Sequence, residues 1–195
     1  MPGAPHARAW LFLTLGIALL VAGCGGSSAS SPSSVSVRVS TTTPTAASGD
    51  FVSTLYDYTV KSPDWSGIVA TTAWDGKGSP GSGDPTVDRL VGPNSQQVFG
   101  VSTPTTSTLA AFVAKARATS TSARGCPKPE ATGDNMIGGE PAIIDEGRCN
   151  GVFALSGYVI HAGKGLVFFT FDQPGKEAAT RIGFLTFLKS IAFTP

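Results

Sequence analysis

The sequence predicts an α+β domain in which a central, largely antiparallel sheet carries helices packed on it. Three observations carry that prediction. The runs VFALSGYVI and LVFFTF, within residues 149–171, are rich in β-branched and aromatic residues and are separated by Ala162-Gly163-Lys164-Gly165, as the arms of a β-hairpin are. Two stretches, about Thr108 to Ala118 and Lys176 to Ser190, repeat apolar residues at i, i+3, i+4 and i+7, one face of a 3.6-residue period. The order of strand runs, helix, strand hairpin and closing helix is that of an α+β layer rather than of a strictly alternating parallel fold.

Taken in order, the domain begins near Phe51. Leu55 to Val60 alternates as a strand would, and Ser62-Pro63-Asp64 ends it at a turn. Trp65 follows, then a strand from Ile68 to Trp74 and the long glycine-rich loop Asp75 to Pro85. Val87 to Val91 and Gln97 to Ser102 read as short strands divided by Gly92-Pro93-Asn94. Leu109, Phe112, Val113 and Ala116 form the apolar face of the first helix, with Thr106 or Ser107 as its N-cap. Met136 to Ile144, broken at Gly138-Gly139, precedes a long strand from Cys149 to His161 and its return from Leu166 to Phe171. Both faces of these last two strands are largely apolar, which places them at the centre of the sheet and covered on both sides. In the closing helix Phe184, Phe187, Leu188 and Ile191 make the stripe, widened by Ile182 and Leu185. Lys189 suits its C-terminal dipole, and Phe193 begins a last edge strand.

The N-terminal region is of another kind. Arg8 and the free amine precede the uncharged run Trp10 to Val21, the length of a signal-peptide apolar core. That run is shorter than the roughly 20 residues a membrane-spanning helix needs. It ends in Val21-Ala22-Gly23-Cys24, with Gly25-Gly26 and a serine tract beyond. Small residues before a cysteine in this order resemble the bacterial lipoprotein signal, whose Cys thiol takes a diacylglyceryl group before cleavage on its amino side. The resemblance implies a signal peptide over residues 1–23 and a lipidated Cys24 as the first mature residue. It also implies a chain anchored in the cell membrane and facing the extracytoplasmic side, at the cell surface or in the periplasm. Two or more acyl chains would hold it stably. Residues 24–50 are dominated by Ser, Thr and Ala, too polar to offset their ordering entropy, and read as a flexible tether. Within it, Val35-Ser36-Val37-Arg38-Val39 alternates like a strand, solvated unless it adds to a sheet edge. Residues 51–195 then form a single domain of ordinary size.

Charge and cysteine content narrow the function classes. The chain has 14 Lys+Arg against 13 Asp+Glu, and loss of residues 1–23 removes only Arg8. A balanced domain has no electrostatic footprint for nucleic acid. With Cys24 consumed by lipid, Cys126 and Cys149 remain as an even pair in an oxidising compartment, where a disulfide is expected. Such a bridge would contribute roughly 3 kcal/mol by restricting the unfolded chain. The C-x-x-C spacing of a redox site is absent.

The order of elements, together with the entry Ser62-Pro63-Asp64-Trp65, resembles the PsbP-like fold, which recurs in small secreted lipoproteins of actinobacterial type. Those proteins are similar in carrying a lipobox, a Ser/Thr tether and a cysteine pair. The resemblance implies a PsbP-like sandwich over residues 51–195 and a binding or assembly role. It carries no catalytic residue with it.

No catalytic, cofactor or metal motif stands out in the chain itself. His161 is the one histidine left after the leader is removed, and no G-x-S-x-G elbow supplies a nucleophile for it. The glycines at 76, 78, 81 and 83 lack the Lys-Ser/Thr and helix start of a P-loop. Asp75, Asp84 and Asp88 could offer oxygens to Ca²⁺, but their spacing is not that of an EF-hand, and exposed turns favour Asp in any case. The aromatic residues Trp65, Trp74, Tyr158, Phe168, Phe169 and Phe171 suit either a core or a pocket wall. If there is a recognition surface, it is expected where the Asp75–Pro85 loop meets Trp65 and Trp74, with Asp75, Asp84 and Asp88 alongside. Its partner would be an envelope protein, a glycan or a lipid. A non-catalytic binding or assembly lipoprotein is the expected function, with a structural envelope protein or a small envelope hydrolase as the competing classes.

Overall fold

A computed structural model describes residues 50–195. The leader, Cys24 and the serine-rich segment with its Val35–Val39 alternation lie outside the described residues. The described chain runs β1 (Phe51–Val52), β2 (Tyr58–Val60), β3 (Ser66–Ile68), β4 (Asp88–Val91), β5 (Gln97–Pro104), α1 (Leu109–Arg124), β6 (Ala131–Ile137), β7 (Glu140–Cys149), β8 (Val152–His161), β9 (Lys164–Asp172), α2 (Glu177–Lys189) and β10 (Ile191–Phe193). Seven strands make one antiparallel sheet in the order β3-β4-β5-β9-β8-β7-β6, and β1-β2-β10 make a small second sheet. This is the α+β class expected, with β8 and β9 in the interior of the sheet.

Three two-residue turns produce the meander β6 to β9. Asn150-Gly151 has φ of 54° and 81°, and Gly138-Gly139 and Ala162-Gly163 are likewise positive at both positions. Such turns match the twist of the strands they join. Cys149 is expected at the start of a long strand. It ends β7 instead, because Asn150-Gly151 is itself a hairpin turn. Lys164 and Gly165 belong to β9 rather than to the turn before it. The break at Gly138-Gly139 is a further hairpin, whose first arm, β6, reaches back to Ala131, well before the expected Met136. Its residues ATGDNM are all exposed, as on a sheet edge, so they lack the apolar alternation that marks a half-buried strand.

Other boundaries moved for physical reasons. Only Tyr58–Val60 of the expected 55–60 strand is extended, because Asp57 turns the chain at φ 55°. The strand expected over Ile68–Trp74 lies earlier, at Ser66–Ile68, because Ala70 N–H donates to Asp88 and the Thr71 and Thr72 N–H groups donate to the Pro85 carbonyl. α1 starts one residue beyond the expected caps, with Thr108 Oγ1 accepting from Ala111 N–H, and runs to Arg124 before Gly125 ends it in the left-handed region. Ile182 does not widen the buried stripe of α2, since it is 68% exposed.

Side chains alternate across the sheet, so its two faces have separate cores. Leu155, Val159, Leu166 and Phe168 meet Phe184, Phe187 and Leu188 of α2 in the main core. The intervening residues Tyr158 and Val167 meet Phe112 and Val113 of α1. Val87, Phe99, Val101 and Phe169 form a third cluster with Trp74 and Phe171 packed against it. Cys126 and Cys149 are joined in a disulfide, tying the segment after α1 to the end of β7. Among the described residues no helix is long and apolar enough to cross a membrane.

Gly165 lets α1 approach the sheet, because a Cβ there would lie 2.4 Å from the Phe112 ring. Gly165→Ala should therefore cost about 1–3 kcal/mol through overpacking. Urea denaturation checks this, and an unchanged midpoint would mean that Phe112 is not seated on β9.

Candidate functional site

Helix α1 covers only part of its face of the sheet. It packs on β7 and β8 through Leu109, Phe112, Val113 and Ala116. The side of the helix next to that stripe presents Ala114, Arg117, Ala118 and Thr121. Together with Val101, Ala154, Val167, Phe169 and Phe171 of the sheet they line a groove of about 870 Å³. Trp74 with Gly78, Ser79 and Pro80 of the long loop forms the opposite wall, and the disulfide with Pro127 and Pro129 closes one end. A volume of this size with an apolar floor and a few polar groups is that of a small-molecule site.

The polar groups converge on one stretch of the wall. Asp145 on β7, 6% exposed, accepts from Arg117 Nε at 2.8 Å and Nη2 at 2.6 Å, and from Thr132 Oγ1 at 2.9 Å. The two-pronged contact satisfies a carboxylate that would be costly to bury alone. It also holds the Arg117 guanidinium above its ordinary pKa, through hydrogen bonding to that carboxylate. Beside the pair, burial and then the Asp145 charge push the Tyr158 phenol up to about 12. These groups can orient a polar end of a ligand, and they are not arranged as a nucleophile with its base.

A second cleft of about 580 Å³ adjoins the first and shares Ser79, Phe169 and Phe171 with it. Its wall is richer in amides, with Asn94, Gln96, Gln97 and Gln173 beside Asp172 and Lys176. Gln96 Nε2 is already used, donating to the Thr180 carbonyl of α2.

The residues singled out from the sequence do not all meet here. Trp74 and the loop do line the groove. Trp65 is a correction: it is 3% exposed and packs edge-on against Phe187 at 4.8 Å, on the α2 face of the sheet. The two tryptophans thus stand on opposite faces, and Trp65 belongs to the main core. Asp88 is a second correction, being fully buried. Asp75 and Asp84 each close their own turn, Asp75 accepting from Lys77 N–H at 2.8 Å and Asp84 from Thr86 N–H at 2.8 Å. Those hydrogen bonds, from the Lys77 backbone and from Thr86, hold both carboxyls below their ordinary values. Neither residue lines the groove, and among the described residues no group of three or more His, Cys, Asp or Glu is gathered as a metal site. Cys126 and Cys149, read as a staple, also line the groove. His161 stacks on Phe193 at 4.4 Å, with Nδ1 3.2 Å from Glu140 and Nε2 3.3 Å from the Thr194 carbonyl, a structural contact. The alanine row of α1 was missed. Its signal is the recurrence of small residues at 114, 118 and 121 beside the apolar stripe.

Asp88 has a structural part in the site. It accepts from Ser53 Oγ at 2.5 Å and from Ala70 N–H at 2.7 Å, and so anchors the base of the groove loop. Burial pushes its carboxyl above the ordinary value, with the bonds from Ser53 and Ala70 opposing that shift. Tyr58 lies nearby with its hydroxyl buried, and burial, then the Asp88 charge, raises its phenol well above the usual value.

No family model and no curated protein matches the chain. Among solved structures it is similar to cyanobacterial PsbP (CyanoP) from Synechocystis sp. PCC 6803, at 13% identity and a TM-score of 0.52, over 77% of this chain and 95% of that one. A protein from Bacteroides thetaiotaomicron aligns over 76% of this chain and 50% of that one, at 10% identity. Its TM-score of 0.41 is too low to carry an argument. The likeness to CyanoP establishes a PsbP-like fold and, at this identity, nothing about activity.

The raised Asp88 value has a definite sign. A carboxyl whose folded pKa exceeds its unfolded one favours the fold most below the unfolded pKa, and that contribution is lost as pH rises through the folded value. The destabilisation caused by Asp88→Asn should therefore be larger near pH 3 than at pH 7. Denaturant midpoints of both proteins at the two pH values check this, and a penalty that is larger at pH 7 would reverse the assignment.

Proposed function

We propose that this chain is an extracytoplasmic lipoprotein, anchored through Cys24, that binds a small apolar or amphiphilic molecule in the groove between α1 and the Trp74 loop and does no chemistry on it. The observation that carries the reading is the groove's apolar floor. Val167, Phe169 and Phe171, on the strand at the centre of the sheet, line it together with Ala114, Ala116 and Ala118 of α1. Val167 and Phe171 are only half-buried, and apolar surface left exposed costs about 25 cal/mol per Å² relative to a covered one. A ligand that covers it recovers that free energy. The Arg117–Asp145 pair and Tyr158 give the same groove one polar stretch of wall, suited to the polar end of an amphiphile.

The anchored location is supported by the residues Val21-Ala22-Gly23-Cys24 behind an apolar run. The Cys126–Cys149 bridge is in keeping with it, since disulfides persist in oxidising compartments. The membrane would be contacted through lipid on Cys24.

Two experiments test these parts separately. Ala118 is exposed on the groove side of α1, so Ala118→Phe should plug the groove without disturbing the core. The neutral fluorophore N-phenyl-1-naphthylamine, added to the full chain in lipid nanodiscs, should take up energy from tryptophan in the parent protein. The plugged variant should bind it at least tenfold more weakly, with an unchanged or higher melting temperature. Equal energy transfer in both proteins would refute the groove as the site. For the anchor, mass spectrometry of the membrane-extracted protein should find an acylated N-terminus at Cys24, and Cys24→Ala should leave the precursor uncleaved. An unmodified N-terminus at any other position would refute the lipoprotein assignment.

A further inference from the structure

The wall that carries Trp74 belongs to the segment joining β3 to β4, and that segment is held by its stems. Thr71 and Thr72 N–H donate to the Pro85 carbonyl, bringing the outgoing and returning strands of the loop side by side. Beneath them one hydroxyl reaches both stems. Tyr56 Oη donates to the Thr86 carbonyl on the returning side and accepts from Trp74 N–H, at 3.1 Å, on the outgoing side. Tyr56 is itself 3% exposed, and its N–H donates to Ser53 Oγ at 3.2 Å, the hydroxyl that donates to Asp88. The phenol is held above its ordinary pKa, mainly by burial, and stays a hydroxyl able to donate. Farther out the loop makes hydrogen bonds of its own, Trp74 Nε1 donating to the Lys77 carbonyl and Asp84 N–H to the Gly81 carbonyl. Gly78, Gly81 and Gly83 have open space where a Cβ would stand, although Pro80 between them is buried. Ser79, in this outer part, lines both clefts.

We infer that Tyr56 is a positioning residue for the groove: by clasping both stems of the loop it sets where Trp74 and Ser79 stand over the floor, and so how thick a ligand the groove admits. Tyr56 lines neither cleft, so it acts wholly through the loop. The inference rests on the binding role proposed for the groove, and it makes that role depend on a residue with no access to the ligand.

The test compares Tyr56→Phe, which keeps the buried ring and removes only the hydroxyl, with Ala118→Phe and the parent, all as the full chain in nanodiscs. One readout is energy transfer to N-phenyl-1-naphthylamine. The other needs no ligand: the rate at which trypsin cuts after Lys77, whose side chain is 87% exposed in the loop. Tyr56→Phe should cut several-fold faster and bind the probe about fivefold more weakly, as expected for one lost hydrogen bond. Its cleavage at sites outside the loop should be unchanged, which a general loss of stability would not give. Parent-like cleavage after Lys77 overturns the clasp whatever the probe does. Faster cleavage with parent-like probe binding, while Ala118→Phe has lost the probe, overturns the control of the groove but leaves the groove itself in place. If the parent binds no more probe than Ala118→Phe, the binding role falls with everything that depended on it, and the cleavage rate still decides whether Tyr56 fixes the loop.

Discussion

The structure depends on one constraint: β8 and β9 lie inside the sheet and carry apolar side chains on both faces. Leu155, Val159, Leu166 and Phe168 point to one side, and Tyr158, Val167, Phe169 and Phe171 to the other. A sheet of this kind must be covered twice. α2 covers the first face with Phe184, Phe187 and Leu188, and the small sheet extends that cover through Tyr58, Val60 and Ile191. The second face receives one helix, which fits closely at Gly165 and falls away toward Phe171. The loop from Val69 to Val87 supplies the rest of the cover. The groove is what remains between two covers that do not meet.

Polar groups in the interior serve this cover more than they serve the core. Asp88 and Tyr56 are buried in order to satisfy backbone donors and acceptors of the loop, which has no ladder to do so. Leaving such groups unpaired costs about 1–3 kcal/mol each. Asp145 plays a similar part for α1, fastening it to β7 through Arg117. On the opposite face Glu146, the next residue of the same strand, pairs with Arg181 of α2. Neighbouring carboxylates on one strand thus hold the two helices on opposite sides of the sheet.

This explains what could be read in the sequence. The hairpin of β8 and β9 and the stripes of both helices were legible because each buries a periodic face. The edge strand β6 was not, since nothing in ATGDNM is buried. The roles of the two tryptophans were not legible either. Trp65 lies just before β3 and Trp74 beyond it, and local sequence does not say that the chain passes from one face of the sheet to the other between them. Asp88 looked like one more loop carboxylate beside Asp75 and Asp84. Only its partners Ser53 and Ala70, from distant and near parts of the chain, show why it is inside. The fold class and the disulfide pair followed from pattern and count. The groove was not legible, because small residues at Ala114 and Ala118 recur beside the apolar stripe without showing what faces them.

The three tight turns between β6 and β9 also bear on how the chain reaches this structure. They join strands that are adjacent in sequence, so residues 131–172 can pair by closing short loops, at little entropic cost. β5 meets β4 across the short connection of residues 92–96, but its other edge has no such neighbour. It pairs with β9 across the whole meander, and β2 finds β10 only when both ends of the domain are present. Contacts with long sequence separation are the slow ones to form. The meander is therefore the natural nucleus, and the β5–β9 seam closes after it. The floor of the groove lies on both sides of that seam, with Val101 on one strand and Val167 and Phe169 on the other. The surface offered to a ligand is thus among the last parts of the domain to be assembled.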